Sequence, residues 1–339
     1  MNLRNWHRVL TAIVLIVFTD SALAEKANRT TLTHRDSGLY CNLRFTHGRD
    51  PKVDGVVNML TPERASSADA PWSFYVFQFN RPATVADIKL IERMAAAGKK
   101  VILRVDIGRL TSEPNVKQME ERLAAMVKGL NVDSLYAIIL GEEQVFWNGW
   151  TKALGELYHR AKVRWPDLPV YQWWSPMEVP NVRAESGWVA LPADGWVIDL
   201  YGRRREEFER KLVKTLETGK PVIHIIWSSP DWPDLCGATA WDEGGRHVFE
   251  DQLEVCRAFN VPVAHFCTQR PLSREGKESE PIRWGWHSVN PVVREWYSAI
   301  ELLAANNRRL PDEAIGFRIL DKKLFDWAHG TVRVPAESQ

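Results

Sequence analysis

Leu135 to Trp150 reads LYAIILGEEQVFWNGW. The run from Leu135 to Leu140 stops at Gly141. Two adjacent carboxylates, Glu142 and Glu143, follow at once, with Phe146, Trp147 and Trp150 just beyond. So short and so apolar a run is how a parallel strand buried on both faces reads. An acid delivered at the C-terminal end of such a strand stands where α/β barrels keep their chemistry. Successive side chains on a strand point to opposite faces, so only one of the two glutamates can face a barrel axis.

Seven further runs share this character: LYCNLRF (39–45), SFYVFQF (73–79), VILRVDI (101–107), VYQWWS (170–175), WVIDLY (196–201), VIHIIW (222–227) and PVAHFCT (262–268). Apolar residues at three- and four-residue spacing predict helices over 84–99, 115–130, 151–165, 205–220, 246–260 and 291–306. Strand and helix alternating with short returns imply right-handed parallel crossovers. Eight such strands predict a (β/α)8 barrel over residues 38–310, with a polar segment (25–37) before it and an extension (311–339) after it. A second count drops 39–45 and takes RWGWHS (283–288) as the last strand. An open doubly wound sheet is the other alternative, but neither G-x-G-x-x-G nor a P-loop accompanies it. The long segments 175–194, 228–245 and 269–286 all follow strands, so elaborated loops are expected on the C-terminal face.

The N-terminus reads as an export signal. Arg4 and Arg8 precede an apolar stretch, Val9 to Phe18, and Ala22-Leu23-Ala24 forms an A-x-A cleavage site. That stretch is far shorter than the ~20 residues of a membrane-spanning helix. A mature chain starting at Glu25, secreted or periplasmic and without stable membrane insertion, is the expectation. The formal net charge of the full chain is +1, and no basic stripe points to nucleic acid. Four cysteines, Cys41, Cys236, Cys256 and Cys267, allow three pairings in an oxidising compartment; free buried thiols are the alternative. No C-x-x-C, H-x-H or H-E-x-x-H spacing indicates a metal, no cofactor is implied, and no G-x-S-x-G elbow suggests a serine hydrolase. His224 and His265 lie within strands and read as satisfied core residues.

Sixteen tryptophans are the compositional outlier. Trp72, Trp165 and Trp296 fall in core-like patterns. Trp147, Trp173, Trp227 and Trp286 fall near strand ends, where an indole face can stack on the apolar face of a sugar. The same ends carry acids and polar groups: Asp106, Glu142, Glu143, Asp199, Tyr201 and Gln269. Glycosidic cleavage needs a proton donor at the leaving oxygen and a second group on the opposite face. A carboxyl desolvated at the end of an apolar strand suits the donor's role.

Gly141-Glu142-Glu143 resembles the Gly-Asn-Glu signature of the clan A retaining glycosidases, and Asp199-Leu200-Tyr201 resembles the His-x-Tyr of some of these families. The resemblance implies a TIM barrel acting on a carbohydrate. Glu143 then stands in the acid/base position and Glu142 where the sugar-binding Asn would be. The pattern breaks at strand seven, which ends in Trp227-Ser228-Ser229 where the clan carries a nucleophilic Glu. Asp106 and Asp199 are the substitutes as second carboxylate, and a sugar-binding barrel without catalysis is the alternative. Expression of the whole chain in an exporting host should yield protein beginning at Glu25. An intact mass that retains the leader would remove the export expectation.

Overall fold

The computed structural model describes residues 31–42, 62–79, 81–107, 114–141, 150–174, 181–184, 187–200, 203–228, 248–266, 271–272, 282–283 and 300–307. Eight parallel strands form a closed barrel: β1 (Ser37–Asn42), β2 (Phe74–Phe79), β3 (Lys100–Val105), β4 (Ala137–Leu140), β5 (Val170–Trp174), β6 (Gly195–Ile198), β7 (Val222–Trp227) and β8 (Val263–Phe266). Each pairs with its sequence neighbours, and β8 closes on β1. Carried around the ring, the register offsets lead from Tyr40 through Val76, Ile102 and Ala137 back to Leu32. That return, eight residues away, is the stagger of a TIM barrel. Every predicted strand is present, and closure excludes the open sheet. Ile282–Arg283 pairs antiparallel with Pro271–Leu272 outside the barrel, which rules out the alternative strand count.

Alternation on each strand divides the core in two. Phe74 and Val76 of β2 join Tyr40, Ile102, Ile139, Tyr171, Trp173, Val197 and Ile225 inside the barrel. Tyr75, Phe77 and Phe79 of the same strand pack outward with Leu103, Leu140, Trp174 and Ile198 against the helices. Both faces are buried, so the strands read as continuously apolar. Leu32, from the polar N-terminal segment, belongs to the inner cluster. Its N–H reaches the Tyr136 hydroxyl at 3.4 Å, and Asn307 Nδ2 donates to the His34 carbonyl at 2.8 Å and to Ser37 Oγ at 3.0 Å. The segment therefore covers the N-terminal end of the barrel.

Helices α1 (Val85–Ala96), α2 (Val116–Met126), α3 (Trp150–Arg164), α4 (Arg205–Leu216) and α5 (Val248–Ala258) connect the strands, and residues 300–307 form a further helical stretch. A capping box starts α1, with Thr84 accepting from the Asp87 N–H and Asp87 from the Thr84 N–H. Burial would raise the Asp87 carboxyl, but Arg81, 2.6 Å away, and the Thr84 donors outweigh it and hold it below the usual range. On the opposite side of the fold Asp194 accepts from Tyr158 at 2.9 Å, Lys162 at 3.0 Å and the Val170 N–H at 2.9 Å, tying α3 to the start of β5 and β6. Between β5 and β6 the segment expected as a loop contains an antiparallel hairpin, Asn181–Ala184 with Gly187–Ala190.

Gly195 opens β6 beneath the Tyr171 ring, and a Cβ there would lie 2.5 Å from Tyr171 Cζ. Gly195→Ala must displace a ring packed inside the barrel. A loss of about 1–3 kcal/mol is expected from such overpacking, read as a lower urea midpoint with unchanged m-value. An unshifted midpoint would show that the inner layer can yield there.

Candidate active site

The C-terminal mouth is built from the last inward-facing residue of each strand and those just beyond. Register places Arg104 of β3 level with Gln78 of β2 and Ile139 of β4. Arg104 is 6% exposed, and its Nη1 donates to the Tyr40 hydroxyl at 2.8 Å. Tyr40 in turn meets the edge of Trp173 at 5.4 Å between centroids and the Phe266 ring at 4.9 Å. A guanidinium is thus held inside an aromatic collar contributed by β1, β5 and β8. Trp173 is itself buried, and its Nε1 has no acceptor among the described residues.

Two of the expected acids can be followed. The Asp106 N–H donates to the Phe79 carbonyl at 2.9 Å, so the β2–β3 ladder continues one residue past β3. Asp106 therefore keeps the inward parity of Ile102 and Arg104, and it is half-buried. Asp199 follows β6 with the parity of the inward Val197 and is 3% exposed. The two acids leave strands separated in the ring by β4 and β5.

β4 supplies the approach to the remaining acids. The Gly141 N–H donates to the Val105 carbonyl at 3.1 Å, and Gly141 takes φ 71°, a left-handed backbone that glycine adopts without steric cost. The chain turns out of the strand at this glycine. Glu142, Glu143, Trp147, Tyr201, Gln269 and Trp286 lie outside the described residues, as does the side chain of Trp227.

Both strand histidines are buried and engaged, as their positions implied. His224 Nδ1 lies 3.2 Å from the Ile198 carbonyl oxygen and Nε2 3.2 Å from Gln252 Oε1. His265 Nδ1 lies 2.8 Å from Ser228 Oγ, the hydroxyl that follows β7. Burial pushes the His224 ring down to about 4, against the opposing effect of its hydrogen-bond partners. His265 is pushed to about 3 by burial and the nearby His224. Among the described residues no group of three potential ligands could hold a metal ion. No helix among them is long and apolar enough to cross a membrane. Cys256 is a free, buried thiol, and the other three cysteine side chains lie outside the described residues.

Sequence reading missed Tyr40 and Gln252. Tyr40 had a signal, because it alternates with Leu39 and Cys41 on an apolar strand. Gln252 had none, since one amide in an amphipathic helix does not announce which face it occupies.

No family model and no curated protein sequence matches this chain. Solved structures resemble it to differing degrees. The virulence factor SghA, in complex with its substrate analog salicin, gives a TM-score of 0.50 at 10% identity over 83% of this chain and 98% of that one. Pseudomonas stutzeri endoglucanase Cel5A gives 0.44 at 16% identity over 68% of this chain and 84% of that one. Bacteroides uniformis β-glucuronidase 2 gives 0.47 at 14% identity over 70% of this chain and 30% of that one, so the chain spans under a third of that protein. At such identities the likeness is one of fold, and activity has to be argued from the site.

The histidines make a prediction for pH. Each ring has a folded pKa below the unfolded 6.5. Above pH 6.5 both states are neutral and stability is full. As pH falls from 6.5 towards about 4 for His224 and about 3 for His265, only the unfolded state gains protons and stability drops. The loss is on the order of 3 kcal/mol per ring, and most of it precedes carboxylate titration. Urea midpoints should fall steadily across this window, and less steeply in His265→Asn. A flat profile from pH 6.5 to 4 would mean the rings are already charged in the folded protein.

Proposed function

We propose that this chain is an exported glycoside hydrolase, with Glu143 as general acid/base and Asp199 as the second carboxylate. The observation that carries this reading is the mouth itself. A closed parallel barrel ends, on its C-terminal side, in the inward-facing Asp106 and Asp199, the collared Arg104 and the buried Trp173 N–H. Carboxylates and fixed donors converging at this end of a barrel suit cleavage of a polyhydroxylated substrate, where one acid protonates the leaving oxygen and a second acts across the ring. The solved structures of like fold include glycoside hydrolases, which agrees with the reading but contributes no residue to it.

In this reading Arg104 and Trp173 supply donors for sugar hydroxyls and Asp106, more exposed than Asp199, receives hydroxyl donors in turn. Trp147, Tyr201, Trp227, Gln269 and Trp286 complete the substrate surface in this reading, and Glu142 serves a supporting role beside Glu143. No cofactor enters the chemistry.

A second reading, a sugar-binding barrel without catalysis, is favoured by one observation. β7 runs out into Ser228, whose hydroxyl is engaged with His265, and the sequence has no carboxylate before Asp231. A panel of aryl β-glycosides and β-linked polysaccharides separates the two. Hydrolysis by the parent, reduced at least about a hundredfold in Glu143→Gln and in Asp199→Asn, supports the enzyme. Unchanged turnover in Glu143→Gln removes that residue from the mechanism. If Asp106→Asn fails where Asp199→Asn does not, the second acid is Asp106. Calorimetric binding of an oligosaccharide with no hydrolysis by the parent decides for the binder.

A further inference from the structure

Helix α5 carries a buried amide that the proposed chemistry leaves unused. Gln252 is 2% exposed, and its Nε2 donates to the Leu200 carbonyl at 2.8 Å and to the Arg203 carbonyl at 3.0 Å. With both amide hydrogens committed to carbonyls, its oxygen is the atom that faces His224 Nε2 at 3.2 Å. The other nitrogen of His224 faces the Ile198 carbonyl oxygen at 3.2 Å. The Phe208 ring, 4.8 Å from the imidazole, packs over this network.

Gln252 thus holds two backbone carbonyls beyond β6, those of Leu200 and Arg203, and the single N–H of the neutral His224 ring, when on Nδ1, donates to the Ile198 carbonyl. Asp199 lies between Ile198 and Leu200. A strand exit on a barrel rim could leave its carbonyls to water. Here the Ile198 carbonyl, in the peptide that precedes Asp199, faces β7, and the Leu200 carbonyl, one peptide beyond the pair that flanks Asp199, is held from α5. Fixing a peptide plane fixes the direction of the neighbouring side chain, and a displaced catalytic group is among the costliest faults a site can have.

We infer that Gln252 and His224 are positioning residues that set the direction of Asp199 at the barrel mouth. Their link to turnover rests on the proposed role of Asp199; their link to its placement does not. They act through the backbone and touch no substrate.

Gln252→Met keeps side-chain length and removes both donors. Gln252→Glu keeps the shape but turns a carboxylate toward two carbonyl oxygens. NMR of protein labelled with 13C-aspartate, with the Asp199 signal assigned through Asp199→Asn, reads the carboxyl directly in the full chain. In Gln252→Met its titration midpoint should move by at least about half a pH unit. Thr215→Val, a fully buried change on α4, should lower the melting temperature and leave that midpoint in place. On the aryl glycoside that the parent cleaves, Gln252→Met should lower kcat by about ten- to a hundredfold, with KM held within about twofold. Where Gln252→Met does not fold, Gln252→Glu gives the same two readings. An Asp199 midpoint that is the same in parent and variant overturns the inference, whatever turnover does. A moved midpoint in a chain that hydrolyses nothing upholds the positioning and removes the glycosidase reading instead.

Discussion

Closing eight parallel strands into a ring leaves no sheet edge and two buried faces, and the rest of the structure follows from that. Each strand must be apolar at odd and even positions alike, because one set fills the barrel and the other meets the helices. Polar side chains are confined to strand ends or to places where a partner waits for them. The ends are where the ring opens to solvent, so chemistry concentrates at the rim. Leu32 covers the lower opening from inside the ring, and at the C-terminal end the described residues include Asp106, Asp199, Arg104 and Trp173.

The charged side chains Arg104 and Asp87, buried in the fold, and the half-buried Asp194 are each held by defined partners, whereas the buried indole N–H groups of Trp173 and Trp174 have none among the described residues. Arg104 donates to Tyr40, Asp87 accepts from Arg81 and Thr84, and Asp194 gathers a lysine, a tyrosine and a backbone N–H. An isolated buried charge is far too costly to keep, so such groups persist only in company. These contacts join elements that the apolar core alone would leave free to slide: β1 to β3, and α3 to the start of β5 and β6. The surface pairs are different in weight. Arg205 reaches Glu254 at 2.7 Å and Arg203 reaches Glu207 at 3.3 Å. Exposed pairs of this kind contribute little to stability.

The mouth has an uneven construction. On the β6 side the backbone is braced by Gln252 and His224, and Asp199 is nearly sealed from solvent. On the β3 side Asp106 remains half-exposed, with the ladder continuing beneath it. At β4 the chain leaves through a left-handed glycine, Gly141.

Much of this was legible in the sequence. All eight strands and the five longer helices between them followed from run length and periodicity, because a doubly buried strand and an amphipathic helix leave unlike patterns in the chain, whereas the single turn Pro62–Ala65 between β1 and β2 did not. Asp106 after β3 and Asp199 after β6 could be named for the same reason, while Glu142 and Glu143 lie outside the described residues. What the sequence could not determine is who meets whom. Tyr40 and Arg104 are 64 residues apart, and Gln252 lies 52 from the carbonyl it holds. Local patterning records burial and spacing, which are properties of one element. Ring closure, register and the pairing of buried polar groups depend on how separate elements pack, and only the tertiary structure decides them.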